Sequence, residues 1–146
     1  MREAEFERVT RETRIKMKLA LAGAGRGGFS GSSGVGFFDH MLDTFSVHGG
    51  FIINAQIDGD LHVDAHHSVE DTGIVLGKLF SQALGGRSGI ARFGSAFVPM
   101  DESLAFAAVD ISGRPYLAFN AHFSAPQLGG YDTQLTVEVF RALAYN

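Results

Sequence analysis

The sequence predicts a single α+β domain in which short strands alternate with amphipathic helices. Three observations lead there. Residues alternate between polar and apolar from Arg14 to Leu21, the period-two mark of a half-exposed strand. Two segments, Phe37 to His48 and about Ala65 to Leu84, carry apolar residues at helical spacing, and each runs into a glycine pair. Short apolar runs punctuated by Pro99 and by Ser112 and Gly113 then precede a last helical pattern. With 146 residues, 45% of them apolar and 13 of them Phe, the chain can fill one substantial core but not two.

In the first strand Arg14, Lys16 and Lys18 share one side and Ile15, Met17, Leu19 and Leu21 the other. The cations read as a solvated face rather than a phosphate patch. From Gly23 to Gly36 a flexible connector is expected. It contains a literal GxGxxG at Gly23, Gly25 and Gly28, but no helical period follows to turn a helix N-terminus toward a pyrophosphate, so a dinucleotide site is rejected.

The helix from Phe37 is expected to bury Phe37, Met41, Leu42 and Phe45 and to stop at Gly49 and Gly50, with a strand from Phe51 to Ile57 after it. The longer helix should bury Val69, Leu76, Leu79, Phe80 and Ala83 and end at Gly85 and Gly86. Strands are expected near Arg92 to Val98, Leu104 to Ile111 and Pro115 to Phe123. The closing helix, Asp132 to Tyr145, presents Leu135, Val139, Ala142 and Leu143 on one face, with Asp132 or Thr133 as N-cap. In this order the second part, about 92–146, repeats the first, about 1–91, without its closing strand and helix.

Composition excludes several classes. There is no cysteine, so neither disulfides nor thiolate metal sites can form, and any metal must use His and carboxylate. The net charge is -4 with the signs interspersed, which argues against nucleic acid. No apolar run approaches the roughly 18 to 20 residues of a membrane span, and the N-terminus lacks a signal-like apolar region. A cytoplasmic protein without membrane contact is the expectation.

Chemistry concentrates in one place. Five of the six histidines, His40, His48, His62, His66 and His67, lie close together with Asp39, Asp64, Glu70 and Asp71 among them. His66 and Glu70 are four apart, so on a helix they share a face and can close on one ion. His67 is turned from His66 by about 100° on an ideal helix, which suggests two ions, or one ion and one supporting hydrogen bond. Mn, Fe and Zn all suit such donors. His62 is expected on a strand, making a structural hydrogen bond. Arg92 and Arg114 follow turns and suit either an anion or an ordinary ion pair. Asp101 and Glu102 have no distinct reading from local pattern.

The strings RVTRET, FFDHML, DAHHSVEDTGIVLG, RFGSAFVPMDESL, DISGRPYLAFN and YDTQL occur in this order. On them the sequence resembles the imidazoleglycerol-phosphate dehydratase family over nearly its whole length. The resemblance implies a ribosomal protein S5 domain 2-like fold: duplicated half-domains of sheet and helix pair, helices packed between two sheets, the second half incomplete here. It implies a hydro-lyase of histidine biosynthesis that converts imidazole glycerol phosphate to imidazole acetol phosphate with two manganese(II) ions per complete site. His40, His66 and Glu70 would bind one ion and His67 the other. Glu12 and Asp101 would be catalytic, Glu12 as acid and base and Asp101 as an orienter of the ring. Glu12, His40, His48, His66, His67, Glu70, Arg92 and Arg114 would contact substrate, the two arginines chiefly at its phosphate.

Members of the family continue past the position of Asn146 through a strand and a helix bearing a second His-His-x-x-Glu and a phosphate-binding Lys. The remaining ligands of both ions are therefore expected to be missing, and the chain is expected to be C-terminally truncated. Glu138 falls where some members use a metal-binding His, His122 matches no motif, and Ser68 stands where Thr is common. Members also share active sites between subunits of assemblies built from trimers, so a homo-oligomer is expected. Two other readings stand beside this one: a non-catalytic remnant that keeps the fold and part of the metal site, and a metal hydrolase using His62, Asp64, His66 and His67.

Overall fold

The computed structural model describes residues 2–21 and 27–146. The turn that starts the fold is Thr10 to Thr13, which joins β1 (Arg2–Val9) to β2 (Thr13–Leu21) as an antiparallel pair. β1 is an element that the sequence reading missed. Its burial alternates along REAEFERV, with Glu3, Glu5 and Glu7 outward and Ala4, Phe6 and Arg8 inward. An inward arginine disguised the period.

β2 pairs with β4 (Phe51–Gly59), and β4 pairs in parallel with the short β3 (Gly28–Ser30), giving a sheet of order β1-β2-β4-β3. Gly28–Ser30 of the expected connector thus form a strand, while Gly23 and Gly25 of the GxGxxG lie outside the described residues. One cause is Asp39, whose carboxylate accepts from Ser33 N–H (2.7 Å), Ser33 Oγ (2.6 Å) and Ser32 Oγ (2.8 Å).

One face of the sheet is polar. Arg14, Lys16 and Lys18 pair diagonally with Glu7, Glu5 and Glu3 at 2.9, 3.2 and 3.4 Å, so the cations form a solvated face as expected. The other face carries Ile15, Met17, Leu19, Ile53, Ala55 and Ile57, all buried. Burying each large apolar side chain here contributes about 1.5 to 3 kcal/mol.

Helix α1 (Gly36–Gly49) ends at Gly50, whose φ of 69° is the left-handed cap that glycine adopts without strain. It buries Phe38, Leu42 and Ser46, whereas Met41 and Phe45 are exposed and Phe37 is half-buried. The buried stripe is therefore turned by one residue from the expected face. Ser46 can be buried because its Oγ donates to Leu42 O at 2.6 Å.

Helix α2 (His66–Leu84) lies on β1, β2 and β4. Val69, Leu76, Leu79 and Ala83 are buried as expected, and Phe80 is half-buried. Gly59 lets the start of α2 sit against the end of β4, since a Cβ there would meet Ser68 Oγ at 2.0 Å.

Beyond α2 the strands β5 (Phe93–Met100) and β6 (Ser103–Asp110) form a hairpin in which every residue is exposed. Phe97 and Phe106 stack across it, centroids 4.6 Å apart. Among the described residues the strands expected for a second sheet over the helices form this ribbon, which buries none of its own residues. Pro115–Phe123 forms no strand, contrary to expectation, because no ladder partner lies beside it among the described residues. A two-residue hairpin follows instead, β7 (Gln127–Leu128) with β8 (Tyr131–Asp132).

Helix α3 (Leu135–Tyr145) then packs on α2. Its expected face is the one that packs, with Leu135 and Ala142 buried and Val139 and Leu143 half-buried. Neither Asp132 nor Thr133 is the N-cap. Gln134 holds that place, Asp132 Oδ1 accepts from Gln134 N–H at 2.9 Å, and Thr133 Oγ1 bonds to the carbonyls of Ala125 and Pro126 at 3.0 and 3.1 Å.

The α2–α3 contact is set by two glycines. A Cβ at Gly73 would meet Val139 O at 2.6 Å and Ala142 Cβ at 2.9 Å, and one at Gly77 would meet Leu143 O at 2.6 Å. Gly73→Val is therefore expected to lower unfolding free energy by about 1 to 3 kcal/mol or more in urea titrations, through overpacking against backbone that cannot yield. Unchanged stability would show that α3 moves away freely.

Candidate functional site

Two imidazoles leave the start of α2 in different directions. Asp64 Oδ1 accepts from His66 N–H at 2.8 Å and so orders the turn before the helix. His66 Nε2 lies 3.1 Å from Glu70 Oε2, one helical turn on, as their spacing predicted. His67 points the other way, its Nδ1 2.9 Å from Asp60 Oδ2 at the end of β4. The ring centroids are 6.0 Å apart and the planes are tilted by 58°.

Asp60 escaped the sequence reading. It is seven residues from His67, and only the return of the chain from β4 to α2 makes them neighbours. His62 is not on a strand. It lies exposed in the turn Leu61 to Val63, because Val63 N–H reaches back to Asp60 O at 2.8 Å and closes that turn.

The electrostatics follow the pairs. Hydrogen bonding to Asp60, helped by the charges of Asp60, Glu12 and Asp64, raises the His67 imidazole above its ordinary value, against some desolvation. The same hydrogen bond holds the Asp60 carboxyl below the usual carboxylate range. Glu12, in the exposed β1–β2 turn, is thus placed where its charge acts on His67.

His66 also lines a cavity of about 490 Å³, with Asp64 beside it and Gly34 to Gly36, the β7–β8 turn, Asp132 and Glu138 on its other walls. Glu138 pairs with Arg141 at 2.6 Å. His40 and His48 are exposed on α1. Among the described residues no three His, Asp or Glu side chains gather around one point, so neither His40 with His66 and Glu70 nor the hydrolase-like set with His62 is assembled within one chain.

The remaining predicted residues lie on the β5–β6 ribbon and the loop after it. Arg92 makes a bidentate pair with Asp110, Nε–Oδ1 2.8 Å and Nη2–Oδ2 3.2 Å, and lies over the Phe93 ring. Asp101 occupies the ribbon's two-residue tip with φ of 49°. Arg114 is exposed, its N–H donating to Ser112 Oγ at 3.2 Å. The Arg92 hydrogen bond above all, then the charges of Arg92 and Arg114, hold the Asp110 carboxyl below the usual range against some desolvation. His122 is exposed as expected.

In the metal-free protein the His67 resonances should titrate above the ordinary imidazole value near 6.5. Because the His67 value is raised and the Asp60 value lowered, the pair's contribution to stability is complete between the ordinary carboxylate and imidazole values. It is lost as pH rises through the folded His67 value and is lost as pH falls through the folded Asp60 value. Asp60→Asn should return the NMR midpoint toward the ordinary value; an unmoved midpoint would show that the hydrogen bond is not its cause.

Comparison with known proteins bears on this arrangement. A family model described as imidazoleglycerol-phosphate dehydratase matches residues 33–146. The chain is 54% identical over 145 residues to imidazoleglycerol-phosphate dehydratase of Lacticaseibacillus casei, covering 99% of this chain and 74% of that protein. It is 53% identical over 146 residues to that of Streptococcus mutans, covering 100% and 74%. Among solved structures, the imidazoleglycerol-phosphate dehydratase of Staphylococcus aureus superposes with a TM-score of 0.84 at 37% identity, over 97% of this chain and 77% of that one. Identity on this scale over nearly the whole chain, together with the family match, settles the assignment: the chain belongs to the imidazoleglycerol-phosphate dehydratase family of hydro-lyases in histidine biosynthesis.

Proposed function

We propose that this chain removes water from imidazole glycerol phosphate to give imidazole acetol phosphate, with manganese(II) held at the N-terminus of α2. The observation that carries this reading is the divergence of His66 and His67, each already beside a carboxylate. An imidazole beside a carboxylate on each side, with no sulfur to compete, is a donor set that suits manganese, iron or zinc. His66 and Glu70, with His40, would hold one ion, and His67 the other. When bound, the ions would draw charge from the substrate's imidazole ring and lend acidity to a carbon that has no adjacent carbonyl.

The chain's own groups supply the rest. Glu12 would take the proton from that carbon and return a proton to the departing hydroxyl, so that one water leaves and the enol becomes the ketone without any redox change. Arg92 and Arg114 would bind the phosphate, Arg92 exchanging its bidentate carboxylate for a bidentate phosphate edge. Asp101 would orient the ring, and His48 would contact substrate.

Association of copies of this chain is part of the proposal. It is supported by the incomplete donor clusters of the single chain and by the exposed Phe93, Phe97, Leu104 and Phe106 of the ribbon. Sedimentation should find a species larger than a monomer; a monomer at micromolar concentration would argue against shared sites. A cytoplasmic setting agrees with a biosynthetic substrate, and no helix among the described residues is long and apolar enough to cross a membrane.

The decisive assay follows imidazole acetol phosphate with excess manganese(II). Turnover is expected, with His66→Ala and Glu70→Gln each lowering it by about 10- to 100-fold or more through loss of metal. An active-site chelator should abolish it reversibly. No product from the wild-type chain would leave a non-catalytic remnant as the reading, and loss of metal binding in His62→Ala would favour a hydrolase.

A further inference from the structure

We infer that Asp71 is a positioning residue, a single carboxylate that fixes the Glu12 turn over the start of α2; the inference rests on the catalytic reading of Glu12 given above. Asp71 is buried on α2, the residue after Glu70. Its two oxygens serve opposite flanks of one turn. Oδ1 accepts from Arg8 Nη2 at 3.0 Å, near the end of β1, and Oδ2 accepts from Thr13 Oγ1, at the start of β2.

Between those flanks the turn is held by Thr10. Its Oγ1 accepts the backbone N–H of Glu12 at 3.1 Å and that of Thr13 at 2.9 Å, and it lies 3.2 Å from Thr13 Oγ1. Thr13 gives its one hydroxyl proton to Asp71, so Thr10 is the donor in its 3.2 Å contact with Thr13 Oγ1. That is the nearer of two acceptors it reaches, the other being Thr13 O at 3.5 Å. The result is an unbroken chain: Glu12 N–H to Thr10 hydroxyl, to Thr13 hydroxyl, to the Asp71 carboxylate, closed by Arg8. Each link polarises the next.

Nothing else among the hydrogen bonds described ties the Glu12 backbone to the helix that carries His66, His67 and Glu70. Glu12 itself is exposed, so packing does not place it. A general acid and base displaced by about 1 Å can lose roughly 100-fold in rate.

The test uses the 146-residue chain with Thr13→Val and Thr13→Ser, and Asp71→Asn as a second break of the same hydrogen-bonded series. Thr13→Val should accelerate amide exchange at Glu12 and Thr13 by at least about 10-fold while Val75 and Leu79 in α2 stay protected, which shows an intact fold. In the manganese-loaded protein kcat should fall by about 10-fold or more with KM changed less than about 3-fold, and Thr13→Ser should restore both readouts. Unchanged exchange in Thr13→Val, or faster exchange with an unchanged kcat, overturns the inference. If the wild type shows no turnover, it is the dehydratase reading that fails, and exchange alone decides whether the clamp exists.

Discussion

Because Gly73 and Gly77 present no side chain, α3 lies directly against α2, and α2 is held between the sheet on one side and α3 on the other. Its apolar face is spent on Ile15, Met17, Leu19 and their neighbours, its glycine face on α3. Only the first turn is left to present chemistry. That turn holds His66, His67 and Glu70, so the candidate site rests on the best-buried helix among the described residues.

The same constraint explains which parts were legible in the sequence. The i, i+4 relation of His66 and Glu70 is local, and the structure shows it as the spacing required. Helix limits were read within a few residues because glycine punctuates them chemically. Asp60 with His67, Arg92 with Asp110, and Asp71 with Arg8 and Thr13 were not legible, since each joins positions that only the folded topology brings together.

Other misreadings have equally particular causes. β1 was overlooked because Arg8 points inward to a buried carboxylate, which breaks the simple apolar period. The α1 face was misjudged by one residue because a buried serine satisfied by its own helix counts as polar in the pattern. Pro115–Phe123 had strand composition, but composition cannot supply a neighbour to pair with. Glu138 was noticed from the family resemblance, and its place on the wall of the His66 cavity is a property of α3 docking rather than of its surroundings in sequence.

Tyr131 ties the two ends of that docking together. Its ring lies 5.4 Å from Phe37 and 6.1 Å from Phe38 of α1, while its hydroxyl meets Thr136 Oγ1 of α3 at 3.1 Å, and burial raises its phenol above the ordinary value. The chain contains no Trp and three Tyr, and Tyr116 and Tyr145 are exposed. Intrinsic ultraviolet emission therefore carries a built-in label: the one sheltered fluorophore reports whether the first and last helices are clasped, and the two wet ones supply the background against which it is read.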